Sequence, residues 1–406
     1  MPQYQVRAVH CDHRADDEQI YEALQRATMP LTEAWRKLKR ARRITIKFNQ
    51  AFEPGRLVFI GGRLQELVDY SVARATLRLL RENTTAEIVC TEISTMARDG
   101  KHSFEETMTL LPVLREFDVP IIDGNQQPLK IAQVPGGGAM FRQYLLPAAT
   151  VDTDAFVSVQ RMKNHYFMGV TLCLKNLFGL PPLPPAGRAR TYFHHLVRLP
   201  YVLADLGQII QPTLGILDAL VGQSGREWGG EGRITDTLIA GDHVIATDAC
   251  GAYLMGHDPL GDWPAPPFRR DRNALRIAHE IGFGTADLSQ IDLQSEVTPP
   301  LAAFDSDQTD SPEMVAAWHR SMCEQALYYR DHRDQFSQYA GEYILLQNGQ
   351  VVWHDKHSEL QHSRRVLAGE RKMDALWLKY VDPEEAEGEH FEVYERTLAR
   401  MQAQGA

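Results

Sequence analysis

Short apolar runs recur between stretches of helical spacing, and this alternation constrains the fold more than any other feature of the chain. Runs 4–9, 44–48 (ITIKF), 86–91 (AEIVCT), 119–122 and 155–159 (AFVSV) read as strands. Between them, 17–27, 31–39, 64–80 and 104–117 place apolar residues at helical intervals. The style repeats further on, with strands expected at 213–218 and 237–240 and helices at 191–209, 244–255 and 272–281. Strands joined by helices of this length cross over and pair in parallel, because a tight hairpin leaves no room for the helix. The fold class expected is α/β, with mostly parallel sheets covered by helices on both faces. The spacing divides it into an N-terminal α/β lobe over 1–150 and a second over 151–297.

The chain then changes character. Residues 298–312 are rich in Pro, Asp and Ser, so 298–325 reads as a linker or crossover. After a polar helical stretch at 329–339, runs 343–347 and 351–354 flank Asn348-Gly349 as a hairpin. With a helix at 358–367 and a strand at 375–381, 326–406 is expected to form a small β-β-α-β module, an α+β appendage to the two lobes.

Composition narrows function. The 406 residues carry a formal charge of -10, which argues against a nucleic-acid partner. The best basic cluster (Arg36, Lys37, Lys39, Arg40, Arg42 and Arg43) reads as a solvated helix end. Cys11, Cys90, Cys173, Cys250 and Cys323 are scattered without a CxxC pair, so no iron–sulfur cluster is expected. No run of about 18 apolar residues suggests a membrane span, and the expected location is cytoplasmic. Gly-x-Ser-x-Gly, Walker, HExxH and kinase signatures are absent from the sequence.

The densest chemical signal begins where run 155–159 ends, at Gln160-Arg161-Met162-Lys163-Asn164-His165, and continues through Gly169 to Thr171, Lys175 and Asn176. In open α/β sheets the carboxyl ends of strands are where ligands bind. A histidine there suits proton transfer near neutral pH, and lysines suit holding a carboxylate or phosphate. Met162, Phe167, Met168, Leu172, Leu174, Leu177 and Phe178 surround the lysines, a setting that desolvates an amine and lowers its pKa. Gly169 would let backbone approach a ligand closely.

The stretch KNHYFMGVTLCLKNLFGLP resembles the signature of the bacterial and archaeal family known as domain of unknown function 362 (DUF362). Ile46-Lys47-Phe48-Asn49, Gly215-Ile216-Leu217-Asp218-Ala219 with Gly222, and Ile239-Ala240-Gly241-Asp242 through Asp248 fit the same pattern, so the resemblance covers roughly 40–285. Many relatives carry a ferredoxin-like cluster segment that this chain lacks. His165-x3-Gly169-x5-Lys175 is also similar in spacing to a stretch of the nickel-pincer lactate racemase family. That resemblance implies a lysine anchoring a cofactor, with histidines moving a proton or hydride. The chain departs from that pattern at Cys173 and Leu174, which stand where the family has a glycine pair. It departs again at Glu92-Ile93, where a histidine is expected.

Supporting groups lie elsewhere. Lys47 and Asn49, two residues apart at a strand end, share a face and suit gripping an anion. His194 and His195 are adjacent on an expected helix, so only one can face a site. Gly136-Gly137-Gly138 offers a weak anion-cradling signal. Asp218, with Asp242 and Asp248, could supply oxygen ligands to Mg²⁺ or Mn²⁺, and Ni²⁺ follows from the racemase resemblance. Asp242 is also expected to cap the helix at 244–255. His354, His357 and His362 read as solvated, and Cys11-Asp12-His13 as a surface loop. The expectation is an enzyme acting on a small anionic hydroxy acid in a cleft between the lobes, of isomerase, epimerase or lyase type. His165, Lys175 and Lys163 would be catalytic, and Lys47, Asn49, Asn164, Thr171, Asn176, His194 and His195 would bind substrate. The alternative is a non-catalytic protein that binds an anionic metabolite or metal, with homo-oligomerisation open in both cases.

Overall fold

The computed structural model describes residues 3–95, 101–356 and 375–404. The expected helix at 358–367, and His357 and His362, lie outside them.

Among the described residues, nine strands make one central sheet. In chain order they are Tyr4–His10 (β1), Arg43–Phe48 (β2), Glu87–Glu92 (β3), Ile121–Asp123 (β4), Ala155–His165 (β5), Gly169–Thr171 (β6), Leu214–Ser224 (β7), Glu231–Gly241 (β8) and Ile291–Ser295 (β9). Their spatial order is β9-β1-β8-β7-β5-β2-β3-β4, with β6 folded back onto β5. The pairings from β7 through β5, β2 and β3 to β4 are all parallel. β8 is antiparallel to both β7 and β1. The fold is therefore α/β with a large, mainly parallel sheet. The stretches expected as separate lobes meet within it, through β2 against β5, where Lys47 lies opposite Ser158 and Phe48 opposite Val159. The cleft is consequently at the carboxyl ends of adjoining strands of one sheet.

Alternation along the strands builds a core on each face. Ile44, Ile46 and Phe48 pack with Ile20, Leu24, Trp35, Leu38 and Val72 from the helices Asp17–Thr28, Thr32–Arg40 and Tyr70–Asn83. Phe156 turns the opposite way, into a cluster with Leu174, Leu199, Val202 and Ile245. β5 is buried along its whole length, which explains its lack of exposed alternation.

Residues 312–325, expected within a linker, begin the 20-residue helix Pro312–Asp331. Ser311 caps it by accepting from the Met314 amide, and Pro312 opens its first turn. Val315, Trp318, Met322, Ala326 and Tyr329 give it a buried stripe. The appendage has a three-stranded antiparallel sheet, Gln350–Asp355 beside Tyr343–Gln347 beside Trp377–Tyr380. It is locked to the body by the fully buried Arg198, which contacts Glu389 at 2.7 Å and donates to Leu378 O at 2.6 Å.

Candidate functional site

A cavity of about 210 Å³ opens where β2, β3 and β5 end. Lys47, Asn49, Glu92, Gln160, Lys163, His165, Thr171, Lys175, Asn176, Arg190, His194 and Glu227 contribute its polar lining. Lys47, Lys163, Lys175 and Arg190 outnumber Glu92 and Glu227, so the walls favour an anion.

The cations are held differently. Lys47 Nζ reaches both carboxylate oxygens of Glu92, at 2.6 and 2.7 Å, in a buried pair. Lys163, opposite Thr171 in the β5–β6 ladder, donates to Glu66 O at 2.8 Å and Glu227 O at 3.2 Å and lies over the Trp228 ring. Burial lowers its ammonium to about 8. The Lys175 amine has no hydrogen bond or ion pair among the described residues; its Nζ sits 4.5 Å from the centre of the Phe178 ring. Burial, then the charge of Arg190, brings its pKa down to about 7. Arg190 covers the same ring at 4.6 Å.

Lys175 rides on a four-residue helix, Cys173–Asn176. Asp248 accepts from the Cys173 amide at 2.9 Å and the Leu174 amide at 2.7 Å, fixing the start of that turn. Asn176 ties it to the sheet by donating to Lys47 O and Ser158 Oγ, both at 3.1 Å.

His165 Nδ1 accepts from the amides of Phe167 and Met168 at 2.9 and 3.1 Å. Those bonds assign the ring as neutral with its proton on Nε2. Burial, then Lys175, holds its pKa well below the ordinary value. This geometry changes its expected role: Nδ1 is occupied and Nε2 already carries hydrogen, so His165 suits hydrogen-bond donation rather than proton acceptance. His194 stacks 5.8 Å from it, against Phe167 and Phe178, and burial also lowers its pKa. The expected helix is broken at this point, between Arg190–Phe193 and Arg198–Ile210. His195 faces away, with Nε2 3.2 Å from Leu376 O, so it belongs to the junction with the C-terminal appendage.

Other expectations resolve into structure. Asn164 donates to Gly169 O at 3.0 Å and contacts His257, outside the cavity lining. Gly169 has φ +75°, but a Cβ there would meet Phe268 and Pro267 O, so its close approach is to the protein. The amides of Ala139, Met140 and Phe141, just after the triple glycine, are taken by the buried Asp205 carboxylate. Asp218 sits fully buried against Arg161 at 2.9 Å. Asp242 accepts from the Gln5 amide at 2.9 Å, while His243 caps helix Val244–Leu254. Asp218, Asp242 and Asp248 are thus spent on separate structural bonds and make no shared metal centre. Among the described residues, a grouping with ligand spacing is Asp12, His13 and Asp236, whose donor atoms lie within 4.8 Å. There His13 Nδ1 is 2.8 Å from Asp236, and Asp12 is engaged by Arg14.

Glu92, Arg190, Glu227 and Trp228 line the cavity without having been expected as site residues. The sequence signal for two of them is the glycine-rich acidic run Gly225–Gly232 in which they sit. An organonickel group anchored on Lys175 does not fit the residues present. Cys173 and Leu174 are buried, Glu92 closes β3, and the cavity is below the roughly 300 Å³ at which drug-sized sites begin.

No helix among the described residues is long and apolar enough to cross a membrane. The chain is 25% identical over 155 residues to the Thylakoid-associated protein sll1697 of Synechocystis sp., covering 37% of this chain and 46% of that protein. It thus spans about half the length of that curated relative. Among solved structures, the lactate racemase apoprotein from Thermoanaerobacterium thermosaccharolyticum is similar at TM-score 0.35 and 12% identity, over 63% of this chain and 57% of that one. Over residues 58–253 the chain matches the model of the family described as Domain of unknown function (DUF362).

Proposed function

We propose that this cavity binds a small organic acid carrying a hydroxyl beside its carboxylate and moves a proton on it, as an isomerase, epimerase or lyase. The observation that carries the reading is Lys175: an amine with no hydrogen bond or ion pair among the described residues, in the lining of a cationic cavity, with two neutral imidazoles beside it. Arg190 and Lys163 attract the carboxylate, and His165 Nε2–H donates to an oxygen where charge develops. Lys175 or His194 takes the proton, since around pH 7 the Lys175 amine is partly uncharged and His194 is neutral, and both are free of a fixed acceptor role.

The test is a thermal-shift screen of the whole chain against hydroxy acids and sugar acids, with and without Mg²⁺, Mn²⁺ or Ni²⁺, followed by product analysis of each hit. Lys175→Met and His194→Ala should abolish turnover while leaving the melting temperature near that of the parent. Stabilisation by an acid without any product would favour a binding protein and end the catalytic reading.

A further inference from the structure

We infer that Lys175 takes hold of a carbonyl compound covalently: the cavity accepts a small 2-oxo acid and joins its carbonyl carbon to the Lys175 amine as an imine. This deepens the proposed function and rests on the cavity being a site for small organic anions.

The lining lysines are not equivalent. Lys47 is neutralised by Glu92, and Lys163 is held by two backbone carbonyls. Lys175 has neither kind of partner, and Arg190 shares the Phe178 ring with it. Burial and neighbouring positive charge both favour the uncharged amine, the nucleophilic form. A second lining residue has an unpartnered group: Thr171 is 7% exposed, and its buried Oγ1 has no hydrogen-bond partner among the described residues. A hydroxyl left so is costly unless something in the cavity bonds to it, and a carboxylate oxygen would. Arg190, whose guanidinium makes no hydrogen bond among the described residues, offers the matching charge.

The reaction balances without an oxidant or reductant. The Nζ lone pair attacks the carbonyl carbon, and the carbon–oxygen π electrons pass to the oxygen, toward which His165 Nε2–H can donate. The amine's two hydrogens move to that oxygen, relayed by His194, and the oxygen leaves as water while the carbon–nitrogen double bond forms. A hydroxy acid of the same size can occupy the site but has no carbonyl to react.

The test incubates the whole chain with glyoxylate or pyruvate, reduces with borohydride, and maps the adduct by peptide mass spectrometry. One adduct per chain on Lys175 is expected, reduced about tenfold by excess lactate and absent from Lys175→Arg. Thr171→Val, a nearly isosteric change, should slow trapping. Adducts spread over exposed lysines, with none on Lys175, would overturn the inference. If lactate still raises the melting temperature in that case, the anion site stands and the imine alone falls. If neither acid raises the melting temperature and nothing is trapped, both readings fall.

Discussion

Lys47 Nζ lies 2.6 and 2.7 Å from the two carboxylate oxygens of Glu92, across the neighbouring strands β2 and β3, with both side chains at most 4% exposed. Burial pushes the Glu92 carboxyl up while Lys47 pulls it back, so the pair is held together by the cost of leaving either charge alone. Glu92→Leu or Lys47→Met alone should therefore destabilise the protein by about 3–5 kcal/mol, whereas the two together should recover most of that loss. Urea denaturation of the two singles and the double measures it. An additive cycle would show that the pair is not coupled.

His165 gives a spectroscopic prediction. With Nδ1 accepting from two backbone amides, the ring should remain the neutral Nε2–H tautomer well below pH 6.5. Nitrogen-15 shifts of the imidazole across pH 5 to 8 should show one protonated and one bare nitrogen throughout. A titration centred near the ordinary histidine value would refute the tautomer and restore His165 as a proton acceptor.

The α/β class was legible because the strand runs are apolar and β-branched and the intervals are helical. The site was legible as far as its residues are contiguous. Lys163, His165, Thr171, Lys175 and Asn176 fall within one strand, its return and the helical turn that follows, so proximity in sequence approximates proximity in space. Glu92 and Arg190 come from a neighbouring parallel strand and from the later helical turn Arg190–Phe193, and parallel register is not written in local spacing. Asp248 failed as a metal ligand for the converse reason: an aspartate in a helix can cap a different helix, and only the packing shows which amides it meets. The linker at 298–325 was over-extended because Pro312 reads as a breaker, although proline is well suited to a first helical turn.

Asp248 acts on the site through Lys175. Removing its two amide bonds leaves the start of Cys173–Asn176 uncapped and buried, so Asp248→Ala should cost about 1–3 kcal/mol. It should also weaken binding of lactate, used as the probe anion, by displacing the amine. Asp248→Asn, which can still accept one of the two bonds, should fall between. Equal anion affinity in all three proteins would separate the cap from the site.

The C-terminal appendage carries an acid-sensitive lock. Burial alone would raise the Glu389 carboxyl, but Arg198 and Lys379 beside it outweigh that and hold it at about 2. Its folded pKa lies below the unfolded value, so its stabilisation is present above about pH 4.5 and is lost as pH falls toward 2. Glu389→Gln should remove about 3–5 kcal/mol at pH 7 and flatten this part of the acid-denaturation curve. An unchanged slope between pH 4.5 and 2 would show that the lock does not govern acid unfolding.

Anion binding should be linked to proton uptake. Burial lowers Lys163 to about 8 and Lys175 to about 7, so near pH 8 both amines are at least partly uncharged in the empty site. A bound carboxylate favours both ammonium forms, raising their pKa values and drawing protons from solution. Lactate binding at pH 8 should take up roughly one proton, uptake should shrink toward zero at pH 6, and affinity should fall as pH rises above 8. Titration calorimetry in buffers of different ionisation enthalpy measures the uptake directly. Lys175→Met should remove its own share while leaving that of Lys163. If the enthalpy of binding at pH 8 is the same in every buffer, neither amine is poised as described, and the cationic cavity binds its anion by fixed charge alone.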